Sequence, residues 1–187
     1  MSASCFLKAE LASAIARGVR QCVFIGAKSL REGCEKSPDD LKLFAIDEEQ
    51  ATDSSCVYTF VATQFASETL ASALQKTEFD KLKSSLFVWL GAGYRTVDAA
   101  ISALSFIASL PKGSGVVLDY TVEQTSLGPL THTALDALAS RICKAGGVVM
   151  QFIQPQAVSA LLRGLGFQNV VDFAPEPASS HLVSATI

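Results

Sequence analysis

Short apolar runs alternate with segments of helical spacing along the chain, and this alternation confines it to an α/β architecture. The apolar runs are Gln21–Ile25, Leu41–Ile46, Val57–Val61, Ser85–Leu90 and Gly115–Leu118. Between them, Leu30 and Cys34 mark a helical segment that ends before Pro38. Leu70, Ala73 and Leu74 line one face of a helix over 66–78, and Val97, Ala100, Ile101, Leu104 and Ala108 form a stripe that Pro111 and Gly113 terminate. Parallel neighbours in a sheet need a crossover, so strand-then-helix order predicts a mostly parallel sheet with helices on both faces.

The flanking segments extend this reading. Leu7, Leu11, Ala14 and Ile15 predict a helix over 6–17, stopped at Gly18. After the turn at Gly128-Pro129, Leu135, Leu138 and Ile142 mark another helix, and Val148–Phe152 reads as a strand. Pro155–Leu165 reads as a helix with proline in its first turn, Asn169–Phe173 as a strand, and His181–Ile187 as an edge strand. No internal repeat or low-complexity linker interrupts the chain, so residues 1–187 are expected to form one domain.

Composition narrows the partners. A hydrophobic fraction of 49% with 18% charged residues predicts a packed core. A net charge of -3 supplies no basic stripe for a phosphate backbone, so no nucleic-acid partner is expected. No apolar run approaches the ~20 residues that cross a bilayer, and no membrane association is expected. Lys8 and Glu10 interrupt the first apolar stretch, which does not read as a signal peptide, and a cytoplasmic location follows as the expectation. The five cysteines are odd in number and form no C-x-x-C pair, so reduced thiols and no metal site are expected.

Ligands of open parallel sheets lie beyond the carboxyl ends of the strands, where the strand order reverses. Gly26-Ala27-Lys28 follows the first strand. A glycine there lets a ligand approach the backbone, and equally serves a plain strand-to-helix junction. Asp47 follows the second strand about twenty residues later, where a carboxylate accepts both hydroxyl hydrogens of a ribose. With Glu48 and Glu49 it also reads as a solvated acidic loop. Gln64, after the third strand, offers a donor and an acceptor to a base edge, or caps a surface turn. The fourth strand leads into Trp89-Leu90-Gly91-Ala92-Gly93-Tyr94, in which Trp89 reads as core. Tyr94, Asp119 and Tyr120 are the general-base candidates; His132 reads as a cap or solvated residue, and His181 has no partner legible in the sequence.

A family resemblance runs through the same positions. Gly18-Val19-Arg20-Gln21-Cys22-Val23-Phe24-Ile25-Gly26-Ala27 resembles the opening motif of the leucine carboxyl methyltransferase family, especially its bacterial S-adenosylmethionine-dependent branch. Phe87-Val88-Trp89-Leu90-Gly91 resembles the family's fourth-strand segment. Leu110-Pro111-Lys112-Gly113-Ser114-Gly115-Val116-Val117-Leu118-Asp119-Tyr120 resembles its fifth-strand segment. Gln154-Pro155, Leu161-Leu162 and Gly166-Phe167 are similar to a later helix, and the stretches keep the family's order across most of residues 10–187.

The resemblance implies a Rossmann-like class I methyltransferase fold, with seven strands and one antiparallel strand brought in by the last hairpin. It implies a helix over 1–18, a cofactor-binding half over 19–120 and a substrate-side half over 121–187. S-adenosylmethionine is the implied cofactor, and the implied reaction is methyl transfer to a carboxylate or hydroxyl oxygen of a small molecule or peptide. By position, Gly26, Ala27 and Lys28 would lie at the methionine part, Asp47 at the ribose, Gln64 beside the adenine, and Leu90 and Gly91 beside the sulfonium. Such a reaction depends on holding the acceptor in line with the methyl group and needs no nucleophilic side chain.

The chain departs from the family pattern at two of these positions. Lys28 stands where members usually carry a second glycine, and Gln64 stands where they carry an aspartate. The resemblance also starts close to the first helix, so a site that is open, inactive or completed by a second copy of the chain is a further expectation. Two other readings stay beside the methyltransferase one. The first is a catalytically inactive descendant with a binding or dimerisation role. The second is a nicotinamide oxidoreductase, weakened because Gly26-Ala27-Lys28 lacks the three-glycine pattern that seats a pyrophosphate.

Overall fold

The computed structural model of the chain describes residues 2–33, 40–50, 56–64, 67–91, 97–121, 155–175 and 180–187. The expected helix at 135–142, the strand at 148–152, Cys34, Tyr94, His132 and Cys143 lie outside the described residues.

The first helix, α1 (Ala3–Ala16), starts three residues earlier than its apolar spacing predicts. Ser2 caps it, accepting the amide N–H of Cys5 at 3.2 Å. There follow β1 (Gln21–Ile25), α2 (Ala27–Gly33), β2 (Lys42–Asp47), β3 (Thr59–Ala62), α3 (Leu70–Gln75), β4 (Ser85–Trp89), α4 (Val97–Ala108) and β5 (Gly115–Thr121). The chain ends with α5 (Pro155–Gly164), β6 (Asn169–Phe173) and β7 (Ser180–Thr186). All seven strands join one sheet in the order β3-β2-β1-β4-β5-β7-β6.

Strands β1 to β5 pair parallel with their neighbours, while β7 runs antiparallel to both β5 and β6. This is the mostly parallel, Rossmann-like sheet of the class I methyltransferase fold, with a single reversed strand.

Side-chain alternation along the strands builds a core on each face. On one face, Val23, Ile25, Phe44, Ile46, Phe87 and Trp89 pack under Leu70 and Leu74 of α3, Leu104 and Ile107 of α4, and Leu162 of α5. On the other, Cys22, Phe24, Leu43, Leu86 and Val88 pack under Phe6, Leu7 and Leu11 of α1 and Leu30 of α2. Helix α1 also reaches the late strands: the rings of Phe6 and Phe173 stack with centroids 4.7 Å apart, and Ser184 Oγ donates to Glu10 Oε2 at 2.6 Å.

Two expectations are corrected. The last strand, read as an edge, lies inside the sheet, and β6 takes the edge instead. Leu182, Val183, Ser184 and Ala185 are all buried, which is the pattern of a strand covered on both faces. Ser184 gives the sequence its look of polar alternation, but its hydroxyl is satisfied by Glu10. The second correction concerns sulfur. Cys5 and Cys22 are free, but Cys56 is disulfide-bonded. The expectation of reduced thiols throughout fails there, because widely spaced cysteines give no sign in sequence of which ones the fold brings together.

Candidate functional site

The strand order reverses between β1 and β4, so the two exits that face each other are Ile25-Gly26 and Trp89-Leu90-Gly91. Gly26 takes φ 86, a conformation that favours glycine, and so turns the chain directly from β1 into α2. Its amide N–H donates to the Ile46 carbonyl at 2.9 Å, which fixes the turn to the end of β2. One helical step on, the fully buried hydroxyl of Ser29 donates to the Ile25 carbonyl at 2.6 Å and accepts the Leu90 amide N–H at 2.6 Å. That hydroxyl thereby ties the start of α2 to both central strands.

Lys28 is carried across the β4 exit by this arrangement. Its side chain runs over Gly91, which has φ +65 and where an added Cβ would lie 3.0 Å from Lys28 Cδ. Beyond Gly91, Lys28 Nζ meets Asp119 Oδ2 at 2.9 Å, and the Gly91 amide N–H donates to Asp119 Oδ1 at 2.8 Å. Both oxygens of this β5 carboxylate are thus engaged with groups from the two facing exits. The residues brought together are Gly26, Lys28, Leu90, Gly91 and Asp119. Of Ala27 only the backbone is described, as the first residue of α2.

Asp47 closes β2 and stands beside Ala62 of β3 in the pairing register. It is half-buried, and its Oδ1 accepts the Glu48 amide N–H at 2.7 Å. Gln64 is exposed beyond β3; its backbone carbonyl accepts the amides of Ser67 and Glu68, each at 2.9 Å. Four residues after Gln64, the Glu68 carboxyl is held below the ordinary glutamate value by Lys76, with further hydrogen bonds from Thr63 and Ser72. Asp47 and Gln64 therefore flank the central exits along the same carboxyl edge rather than joining the Lys28–Asp119 pair.

A second polar group lies one residue further along β5, on the opposite face. Tyr120 is buried, and its hydroxyl donates to Asp172 Oδ1 of β6 at 2.5 Å. The other oxygen, Asp172 Oδ2, lies 2.9 Å from Nδ1 of His181 on β7. Burial and then Asp172 push the Tyr120 phenol above its ordinary pKa, so it remains protonated and a donor. His181, without a legible partner in the sequence, thus has two. The signal that sequence reading lacked was strand pairing: Tyr120 stands opposite His181 only once β7 is placed against β5.

No protein-family model matches the sequence, and no curated protein matches it. Solved structures do match. One is a S-adenosylmethionine-dependent methyltransferase from Archaeoglobus fulgidus, with TM-score 0.58, 14% identity, and coverage of 99% of this chain and 95% of that one. A DUF574 family protein from Streptomyces avermitilis gives TM-score 0.61 at 14% identity, covering 98% and 82%. Human N-acetylserotonin methyltransferase, solved in complex with S-adenosylmethionine, gives TM-score 0.58 at 18% identity, covering 97% and 54%. The chain spans between 53% and 66% of the length of four of the matched structures, the human enzyme included. No described helix is long and apolar enough to cross a membrane. At these identities the likeness is one of fold, and the fold is that of the class I methyltransferases.

Proposed function

We propose that the chain is a S-adenosylmethionine-dependent O-methyltransferase acting on a small molecule or peptide, with its cofactor seated over the carboxyl ends of β1, β2 and β4. The observation that carries this reading is the pair of positive-φ glycines, Gly26 and Gly91, facing each other where the strand order reverses. At Gly26 the turn lets a ligand approach the main chain, and at Gly91 the missing Cβ makes room for the Lys28 stem, which carries its amine across the β4 exit. The donor set fits the group. Lys28 Nζ is a cation for the carboxylate of its amino-acid end, Asp47 an acceptor for ribose hydroxyls, and Gln64 a carboxamide for the adenine edge.

Lys28 takes the place of the glycine usual in the leucine carboxyl methyltransferase family, whose motifs the chain resembles. Here that lysine is neutralised by Asp119, and an incoming carboxylate replaces or shares that partner. Leu90 and Gly91 lie beside the sulfonium, and Ala27 continues the turn from Gly26 at the methionine part. A cytoplasmic setting and a second copy of the chain completing the site belong to the same reading.

Isothermal titration calorimetry with S-adenosylmethionine and with its demethylated product tests it. Micromolar binding is expected for both, weakened in Asp47→Ala by about 1 kcal/mol or more for each ribose hydrogen bond lost. Absence of heat at millimolar cofactor overturns the reading.

A further inference from the structure

The Tyr120–Asp172–His181 group has a hydrogen-bonding logic that fixes the state of the histidine ring. An ionised carboxylate has no hydrogen to give, so the 2.9 Å contact between Asp172 Oδ2 and His181 Nδ1 places the hydrogen on Nδ1. Tyr120 gives its own hydrogen to Asp172 Oδ1 at 2.5 Å, leaving none for the ring. In the neutral imidazole Nε2 then carries the lone pair, on the side of the ring away from Asp172. The ring is not sealed off: 15% of the His181 side chain is exposed.

Position matters as much as tautomer. Asp119 bonds the Gly91 amide at the β4 exit, and the next residue, Tyr120, bonds Asp172. One peptide unit therefore links the exit assigned to the methyl donor with the group that orients His181. Strands lie about 4.8 Å apart, so β7 is only about 10 Å from β4, within reach of a small acceptor.

We propose that His181 is the general base of a hydroxyl methylation, its Nε2 taking the proton of a phenolic or enolic acceptor while Asp172 and Tyr120 position the ring. This rests on the methyl-transfer reading above and selects the acceptor class within it. A carboxylate acceptor, with a pKa near ~4, is already ionised at neutral pH and needs no base; a phenol, near ~10, does. In the step, His181 Nε2 takes the hydroxyl proton as the acceptor oxygen forms its bond to the methyl carbon. The methyl–sulfur bond breaks, its electron pair stays on sulfur as the sulfonium becomes a neutral thioether, and the proton passes from His181 to solvent.

Two measurements test this, and the first needs no cofactor. The chain has two histidines, so a His132→Gln background leaves His181 as the single target. Long-range nitrogen-15 correlation spectra at pH 8 are expected to show Nδ1 protonated and Nε2 bare, with diethyl pyrocarbonate acylating the ring in the folded protein. Asp172→Asn is expected to shift the tautomer and slow that acylation several-fold. A ring protonated on Nε2, or one inert to the reagent until unfolding, overturns the proposal whether or not S-adenosylmethionine binds.

The second measurement supplies methyl-labelled S-adenosylmethionine and a mixed pool of hydroxyarenes and aromatic carboxylic acids. Label in alkali-stable methyl ethers is expected, with turnover reduced about 10²-fold or more in His181→Gln while calorimetric cofactor binding is unchanged. Label released as methanol by mild alkali marks esters and overturns the proposal. So does turnover that His181→Gln leaves intact, or an absence of transfer by cofactor-loaded protein. Failure of the cofactor to bind in calorimetry defeats the methyl-transfer reading instead, and the tautomer measurement separates the two.

Discussion

The stem of Lys28 passes over Gly91 so closely that a Cβ at position 91 would come within 3.0 Å of Lys28 Cδ. Gly91→Ala therefore acts twice. It adds the strain of a positive φ, about 1–2 kcal/mol, and pushes the lysine stem away from the exit. A lower denaturation midpoint and weaker S-adenosylmethionine binding are expected together. Lys28→Ala is expected to weaken cofactor binding with little loss of stability, since the lysine end of its ion pair is half exposed and Asp119 keeps the Gly91 amide. Thermal denaturation and calorimetry on the two variants separate the effects.

Ser29→Ala probes the tie between the two central exits. Removing the hydroxyl leaves the Leu90 N–H and the Ile25 carbonyl without the partner each has now. The Leu90 amide lies in buried surroundings, so the loss is expected to be about 1–3 kcal/mol in urea denaturation. A change below the error of that measurement refutes the assignment of this hydroxyl as a structural tie.

Gly115 is required for a different reason, the close approach of β7. A Cβ at 115 would sit 2.6 Å from the Ala185 carbonyl oxygen and 3.0 Å from Thr186 Cγ2. The nearer neighbour is backbone and cannot swing away. Gly115→Ala is expected to destabilise the fold by about 1–3 kcal/mol, and Gly115→Val by more. Hydrogen exchange should show the loss first in the β5–β7 pairing.

Alkaline titration reads the Tyr120 environment directly. Its phenol pKa is raised in the folded protein by burial and by Asp172. The folded state thus holds this proton more tightly than the unfolded chain, whose tyrosines titrate near pH ~10. The associated stability is complete below about pH 10 and declines as pH rises beyond it. In absorbance at 295 nm, one of the three tyrosines is expected to ionise only with unfolding. Tyr120→Phe is expected to abolish that late component and reduce the alkaline decline in stability.

Much of the architecture was legible because it is written in local patterns. β1 and β6 begin and end where their apolar runs predict, and α4 spans its stripe from Val97 to Ala108. Boundaries shifted where a cap or pairing partner decided them. α3 starts only after Thr69, whose hydroxyl accepts the Ser72 amide N–H at 3.2 Å, and β3 starts at Thr59 because it pairs with Phe44 there. The positions of Gly26 and Asp47 at the ends of β1 and β2 were legible from the strand pattern. The Lys28–Asp119 pair is separated by 91 positions and the His181–Tyr120 contact by 61. Both exist only after non-neighbouring strands are laid side by side, and no local pattern encodes that.

The bond between Glu10 and Ser184 spans 174 positions, which bears on how the chain acquires its fold during synthesis. Helix α1 leaves the ribosome well before β6 and β7, which make part of the surface on which it docks. β7 must also enter between β5 and its hairpin partner β6, which is made just before it. Helix α1 is thus held waiting until β6 and β7 have been made. Non-local closure of this kind slows folding and prolongs the exposure of apolar surface, so α1 is a segment to which a chaperone has a long opportunity to bind.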